Sequence, residues 1–436
     1  MFSGWQTVSL QLLFGKEQTR ISHILNRTLS MPGMEFFGEE ERREVMDVLE
    51  TGLMFRYNHD AERQGNWKSL EFERAVADFV GAKYAHSVSS GSTAVACALA
   101  ACGVGYNDEV IVPPFTYIAT IEAVLWAGAI PVFAEIDETL NLSPEGIKAV
   151  ITPKTKAVLL VQMCGAMAKM DEIVQVCEES NVMLIEDSAQ ALGASYHGKK
   201  AGLWGKVGCY SFDYFKIATC GEGGVVVTND EQLYRNADMF SDHGHDHIGG
   251  NRGAEKHPVL GINFRIGEFN AAVGLAQMRK IERFIEIQRK NKAAMVEALG
   301  RFPFVQFREM TDEAGDSATF LSFFLPDEAA TRLAIDEMKA QGLDAFQYWY
   351  DNNYHYIKNW EHLTSLKTLN PMPIAHQQRP QDWSNIRSYV PKSDNLISRL
   401  ISLQVKIGWT DEQLRDRCEK LAKVMEAVSG KISVAA

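Results

Sequence analysis

Between about residues 80 and 230 the chain alternates short, continuously apolar runs with longer stretches of helical periodicity. The runs E-V-I-V (109–112), P-V-F-A-E (131–135), A-V-L-L-V (157–161) and V-M-L-I-E-D (182–187) have few polar breaks. V-G-C-Y-S-F (207–212) and G-V-V-V-T (224–228) close the series. A strand that is apolar at successive positions is buried on both faces, the pattern of a mainly parallel sheet covered by helices. Ser143-Pro144 marks one helix start, because Ser caps and Pro fits the first turn.

From Gly267 to Leu299 the periodicity predicts one long helical stretch, after which strands and helices become shorter. T-F-L-S-F-F-L (319–325) reads as a strand, Glu328 to Gln341 as a helix, and Asp411 to Val428 as a final amphipathic helix. The expected division is an N-terminal extension over 1–30, a large domain over 31–290 and a small C-terminal α+β domain over 291–436. The extension carries an apolar stretch from Val8 to Phe14, but Gln11 interrupts it and Lys16 and Arg20 follow, so no signal peptide is expected.

With 436 residues, 46% of them hydrophobic, the chain can bury a large core, and no run approaches the ~20 apolar residues of a membrane span. A net charge of -12 disfavours nucleic acid and anionic membranes as partners. Seven cysteines without a C-x-x-C pair suit a reducing cytoplasm.

Four segments carry candidate chemistry. S-S-G-S-T-A (89–94) opens an Ala-rich helix, and bare N–H groups at such an end suit either a phosphate or an ordinary Ser/Thr cap. P-P-F-T-Y-I-A-T (113–120) places Tyr117 in the loop after a strand, where it can stack on a ring or simply pack. In E-D-S-A-Q (186–190), Asp187 ends a buried strand, so it either pairs with a cation such as a protonated pyridine nitrogen or caps a helix. S-F-D-Y-F-K-I-A-T-C-G-E-G-G (211–224) holds Lys216 between Phe215 and Ile217, a setting that would desolvate an amine nucleophile. Its glycines 221, 223 and 224 read as a turn into a strand.

In this order the segments resemble the DegT/DnrJ/EryC1/StrS family of sugar aminotransferases, from about Gly33 to the C-terminal helix. The resemblance implies the aspartate-aminotransferase fold, with a mostly parallel seven-stranded sheet and a smaller C-terminal α+β domain. It also implies pyridoxal 5′-phosphate (PLP) as cofactor, cycling to pyridoxamine 5′-phosphate, with L-glutamate as donor and a keto sugar as acceptor. Carried over by position, Gly91, Ser92 and Ser211 would bind the phosphate, Tyr117 would stack on the ring, and Asp187 would meet the pyridine nitrogen. Gln190 would contact the ring hydroxyl, and Lys216 would hold the aldehyde carbon and move the proton. Asn263, in G-I-N-F-R-I-G-E-F-N-A-A-V-G (261–274), would reach the neighbouring subunit's cofactor, so a homodimer with shared sites is implied. Relatives that dehydrate sugars carry His at the position of Lys216, which disfavours dehydration. A PLP-binding regulator without turnover would need a basic DNA-binding segment, and none appears.

Within the family, L-M-F-R-Y-N (53–58) and D-H-G-H-D-H-I-G (242–249) resemble the branch that aminates the eight-carbon acid sugar 3,8-dideoxy-8-oxo-manno-octulosonate. A nucleotide-linked keto-deoxyhexose is the commoner family substrate. Arg56, His243, His245 and Arg252 are the expected contacts to the octulosonate carboxylate. The histidines and aspartates of 242–247 would also suit a metal, but the resemblance implies no metal there, and glycines 244, 249, 250 and 253 predict a mobile loop.

Overall fold

The computed structural model describes residues 32–249, 251–365, 367–369 and 379–435, so the expected extension over 1–30 lies outside the described residues. The central sheet contains β1 (Tyr84–Val88), β2 (Glu109–Val112), β3 (Ile130–Phe133), β4 (Thr155–Val161), β5 (Met183–Asp187), β6 (Val207–Ser211) and β7 (Gly224–Thr228). Their spatial order is β1-β7-β6-β5-β4-β2-β3. Every pair from β6 to β3 is parallel, and β7 runs antiparallel to both of its neighbours. The expected mostly parallel seven-stranded sheet is therefore the observed one.

Side-chain alternation divides these strands between two apolar layers. Val110 and Val112 pack with the helix Gly91–Ala101, whereas Ile111, between them, joins Val158, Leu160 and the helix Met170–Glu179 on the other face. Burial on both sides explains why the strands read as unbroken apolar runs. A second sheet, all antiparallel, contains β8 (Gln306–Phe307), β9 (Phe320–Phe324), β10 (Phe346–Gln347) and β11 (Leu400–Gln404) in the order β8-β9-β11-β10. The helices Glu328–Ala340 and Asp411–Ala435 contribute to its apolar core with Leu321, Phe323, Ile401 and Leu403.

The predicted stretch from Gly267 to Leu299 is two helices, Glu268–Met278 and Ile281–Leu299, separated at Arg279 and Lys280. Both halves have helical periodicity, so the break lies below what the pattern resolves. Position 290, where the sequence division was placed, falls inside the second of these helices. Glu268 also starts the helix Lys68–Val80 from a distance, accepting hydrogen bonds from the Lys68 N–H at 2.8 Å and the Ser69 hydroxyl at 2.5 Å. A carboxylate at that end meets both unpaired N–H groups and the positive end of the helix dipole.

The helices Glu268–Met278 and Lys68–Val80 touch at Gly274, where a Cβ would lie 2.4 Å from the Cys220 sulfur and 2.7 Å from the Phe72 ring. Gly274→Ala is expected to overpack this contact and destabilise the protein by about 1–3 kcal/mol. The guanidinium unfolding midpoint measures this, and a midpoint equal to the native one would show that the contact relaxes without cost.

Candidate active site

The strands' C-terminal ends, together with the start of antiparallel β7, bring the four chemistry-bearing segments to one edge of the sheet. Ser90 caps the helix Gly91–Ala101, its hydroxyl accepting from the Thr93 N–H at 3.1 Å while the Thr93 hydroxyl accepts from the Ser90 N–H at 2.9 Å. The Gly91 and Ser92 N–H groups in the first turn have no acceptor within the helix. A Cβ on Gly91 would sit 2.6 Å from the Ser211 Cβ, and one on Gly224 would sit 2.1 Å from the Ser90 carbonyl. Gly224, read from sequence as part of a plain turn, thus also lets β7 press against the helix start. Ser90 does the capping, and Gly91, Ser92 and Ser211 lie around the dipole's positive end, a setting that suits an anion.

Asp187 closes β5 and is 5% exposed. A turn, not a helix, follows it, so capping does not account for its position. Its Oδ2 accepts from the Thr120 hydroxyl at 2.8 Å and its Oδ1 from the Ala189 N–H at 3.1 Å. Burial raises its pKa, and the Thr120 and Ala189 hydrogen bonds and the Lys216 charge only partly oppose that rise. A buried carboxylate in this condition fits a cation such as a protonated pyridine nitrogen.

Lys216 lies beyond β6, its amine 3.8 Å from the Asp213 carboxylate, too long for a tight ion pair. Of its expected apolar flanks, Ile217 is buried but Phe215 is 58% exposed, so within one chain only one side desolvates the amine. The Gln190 side-chain oxygen accepts from the Cys164 N–H at 3.1 Å. Tyr117 is half-exposed, its ring 5.4 Å from His355.

Thr120 and His355 went unnoticed as site residues in the sequence. Thr120 ends the segment that holds Tyr117, whereas no local signal marks His355. It arrives because residues 354–357 pair with the Tyr117 loop: the Thr116 N–H donates to the His355 carbonyl at 3.0 Å and the Ile118 N–H to the Tyr354 carbonyl at 2.9 Å. Burial and the Lys216 charge lower the His355 pKa to about 3, so its imidazole is neutral at pH 7. Nδ1 lies 3.1 Å from the Asn352 side-chain oxygen, which can only accept, so Nδ1 carries the proton.

Small residues around a helix start, a buried acid held by neutral donors and a weakly paired lysine fit a phosphorylated pyridine aldehyde. The sequence profile of the DegT/DnrJ/EryC1/StrS aminotransferase family matches residues 35–422. The chain belongs to this family. It is 31% identical over 350 residues to GDP-perosamine synthase of Vibrio cholerae, spanning 78% of this chain and 89% of that protein. The enzyme of the same name from Caulobacter vibrioides is 42% identical over 214 residues, spanning 49% of this chain and 57% of that protein. The crystal structure of the aminotransferase from Psychrobacter cryohalolentis superposes with a TM-score of 0.77 at 26% identity, covering 90% of this chain and 98% of that one. As a family member the chain is a PLP-dependent sugar aminotransferase.

The four residues expected to hold the acceptor's carboxylate do not converge on it. Arg56 is buried, 2.6 Å from Glu73 and 2.8 Å from the Ser87 hydroxyl, because a desolvated guanidinium needs its carboxylate inside. Arg252 is bidentate on Asp242 at 2.7 and 2.8 Å. His245 lies 2.8 Å from Glu255, and His243 is exposed. Asp242 also meets Arg265 and His247, and His247 bridges it to Asp238, with 2.8 Å at each ring nitrogen. Among the described residues no group of three or more His, Cys, Asp or Glu side chains is arranged to hold a metal. Asn263 is exposed, its side-chain oxygen accepting from the Arg265 N–H at 3.2 Å.

Lys216→Ala is expected to abolish the cofactor's covalent attachment and transamination. Asp187→Asn should keep the fold and bound cofactor while turnover falls on the order of 10²–10³-fold. Visible absorbance and single-turnover rates test both, and native turnover in either variant would remove that residue from the chemistry.

Burial would lower the pKa of His247, but Asp238 and Asp242 outweigh it and raise the value from 6.5 to about 9. The stability this contributes is complete below pH 6.5 and is lost as pH rises through about 9. Native protein should therefore melt well above His247→Gln at about pH 6 and converge with it by about pH 10. A melting difference independent of pH would show that the bridge is not ionic.

Proposed function

We propose that the enzyme moves the amino group of L-glutamate to the C8 aldehyde of 3,8-dideoxy-8-oxo-manno-octulosonate. The product would be 8-amino-3,8-dideoxy-manno-octulosonate for lipopolysaccharide, made in the cytoplasm by a homodimer with shared active sites. Among the described residues no helix is long and apolar enough to cross a membrane.

One observation carries the choice of acceptor. The two segments that resemble the octulosonate branch, 53–58 and 242–249, fold onto each other beside the phosphate helix. Tyr57 stacks on His247 with ring centroids 4.2 Å apart and donates its hydroxyl to Asp238 at 2.8 Å. Phe264, at the far end of that loop, accepts from the Ser89 N–H at 2.8 Å, next to the cap of the helix. The unit therefore forms a structural wall, and its exposed His243 is the one of the four expected contacts left to meet a sugar carboxylate.

When bound, PLP supplies the electron sink for breaking the donor's C–H bond and the carbon that carries nitrogen between substrates. Gly91, Ser92 and Ser211 would hold its phosphate, Asp187 its ring nitrogen and Gln190 its ring oxygen. Lys216 would hold the cofactor covalently and, with its amine free, would take and return the donor's α-proton on Nζ. Thr120 keeps the Asp187 carboxylate oriented, and Tyr117, packed against His355, would stack on the cofactor ring. Asn263 would reach the neighbouring subunit's cofactor.

The names of the relatives support a second reading, a nucleotide-linked keto-deoxyhexose as acceptor. Competition separates the two. Free 3-deoxy-manno-octulosonate and its 8-amino derivative should perturb the cofactor spectrum of the holoenzyme, while GDP, UDP and dTDP should leave it unchanged. Tight binding of a nucleotide with no response to either octulosonate would establish the second reading.

A further inference from the structure

Gln190 is set by a turn that the C-terminal half of the chain clamps. In the turn Met163–Gly165, Cys164 adopts a left-handed backbone, φ 55° and ψ 35°, which non-glycine residues rarely do. This conformation belongs with the placement of its N–H on the Gln190 side chain, 3.1 Å away. A backbone N–H only donates, so it selects the amide oxygen, and the Nε2 protons remain as the hydrogen-bond donors that Gln190 can offer a ligand. With the amide reversed, an oxygen would face the electron-rich ring oxygen and repel it.

The turn is held from both sides. The Asn141 side chain accepts from the Met163 N–H at 2.7 Å, and the Ser317 hydroxyl and N–H both donate to the Gly165 carbonyl, at 2.9 and 3.0 Å. The strongest clamp is Arg308, immediately after β8 and 4% exposed. It donates to the carbonyls of Met163 at 2.9 Å, Cys164 at 3.3 Å and Thr139. Burying a guanidinium against carbonyls alone is costly, and only a planar fork reaches several carbonyls at once.

We propose that Arg308 is a positioning residue that acts through the Met163–Gly165 turn to hold the Gln190 amide with its donors toward the cofactor's ring oxygen. This rests on the reading of Gln190 given above. A donor on that oxygen would weaken its grip on the proton it shares with the Lys216 Nζ when that nitrogen is bonded to the cofactor. Without the donor, the midpoint of the holoenzyme's pH-dependent visible absorbance should rise. The expected rise is on the order of 0.5–1 pH unit, the effect of one lost hydrogen bond.

The test is a double-mutant cycle on holoenzymes of equal cofactor content, read by absorbance against pH. Gln190→Leu should raise the midpoint, Arg308→Gln should raise it by most of the same amount, and the double variant should equal Gln190→Leu alone. If Arg308→Gln does not accumulate as folded protein, Arg308→Lys, which keeps a donor but loses the fork, takes its place in the cycle. A shift in Gln190→Leu with none in the Arg308 variant, or full additivity in the double variant, overturns the role of Arg308. No shift in Gln190→Leu overturns the assignment of Gln190 to the ring oxygen, and the inference with it.

Discussion

A carboxylate buried at the tip of a central strand needs a positive partner, and the site is organised around that need. Asp187 pairs through its strand with β4 on one side and β6 on the other, so the backbone cannot move to bring it water. The Thr120 hydroxyl and the Ala189 N–H satisfy lone pairs but add no full charge. In a low-dielectric setting such an acid is held above its usual range unless a cation arrives, and a protonated pyridine ring is a cation of suitable shape. The same electrostatic demand that makes a buried carboxylate costly would keep a bound pyridine ring protonated and so able to accept electrons.

Around this acid, steric limits decide where the phosphate end can lie. The tips of β1, β6 and β7 converge so closely that Gly91 and Gly224 have no room for a side chain. Small residues there expose the first turn of a helix, and the hydroxyl of Ser211 stands beside it. Beside it, Asp242 collects Arg252, Arg265 and His247, and the Arg252 and Arg265 guanidiniums lie over the Phe55 ring. These charges serve one another because each would be costly to bury alone.

The segments around the antiparallel sheet also shape the site. Residues 354–357 bring His355 to Tyr117, and Arg308 reaches back to the turn that orients Gln190. The cofactor end of the molecule is thus assembled from strand tips of the large sheet and braced by segments far along the chain.

Much of this was legible in the residues themselves. Unbroken apolar runs such as A-V-L-L-V and G-V-V-V-T announce a sheet buried on both faces, since no other environment suits them. Asp187 at the end of such a run and Lys216 in its loop are recognisable because a charge next to buried strands has few stable roles. The loop D-H-G-H-D-H was different: its composition suits a substrate contact or a solvated loop, and less well a metal. Only folding decided that Asp242 and His247 face Arg252 and Asp238, because ion pairing depends on which chains meet in space. Likewise Arg56 reads as an available cation until Glu73 is placed 2.6 Å away. His355 and Arg308 carry no local signature, and their parts follow from tertiary pairing. Residue order sets local periodicity and the chemistry on offer, whereas distance, burial and charge partners are properties of the packed chain.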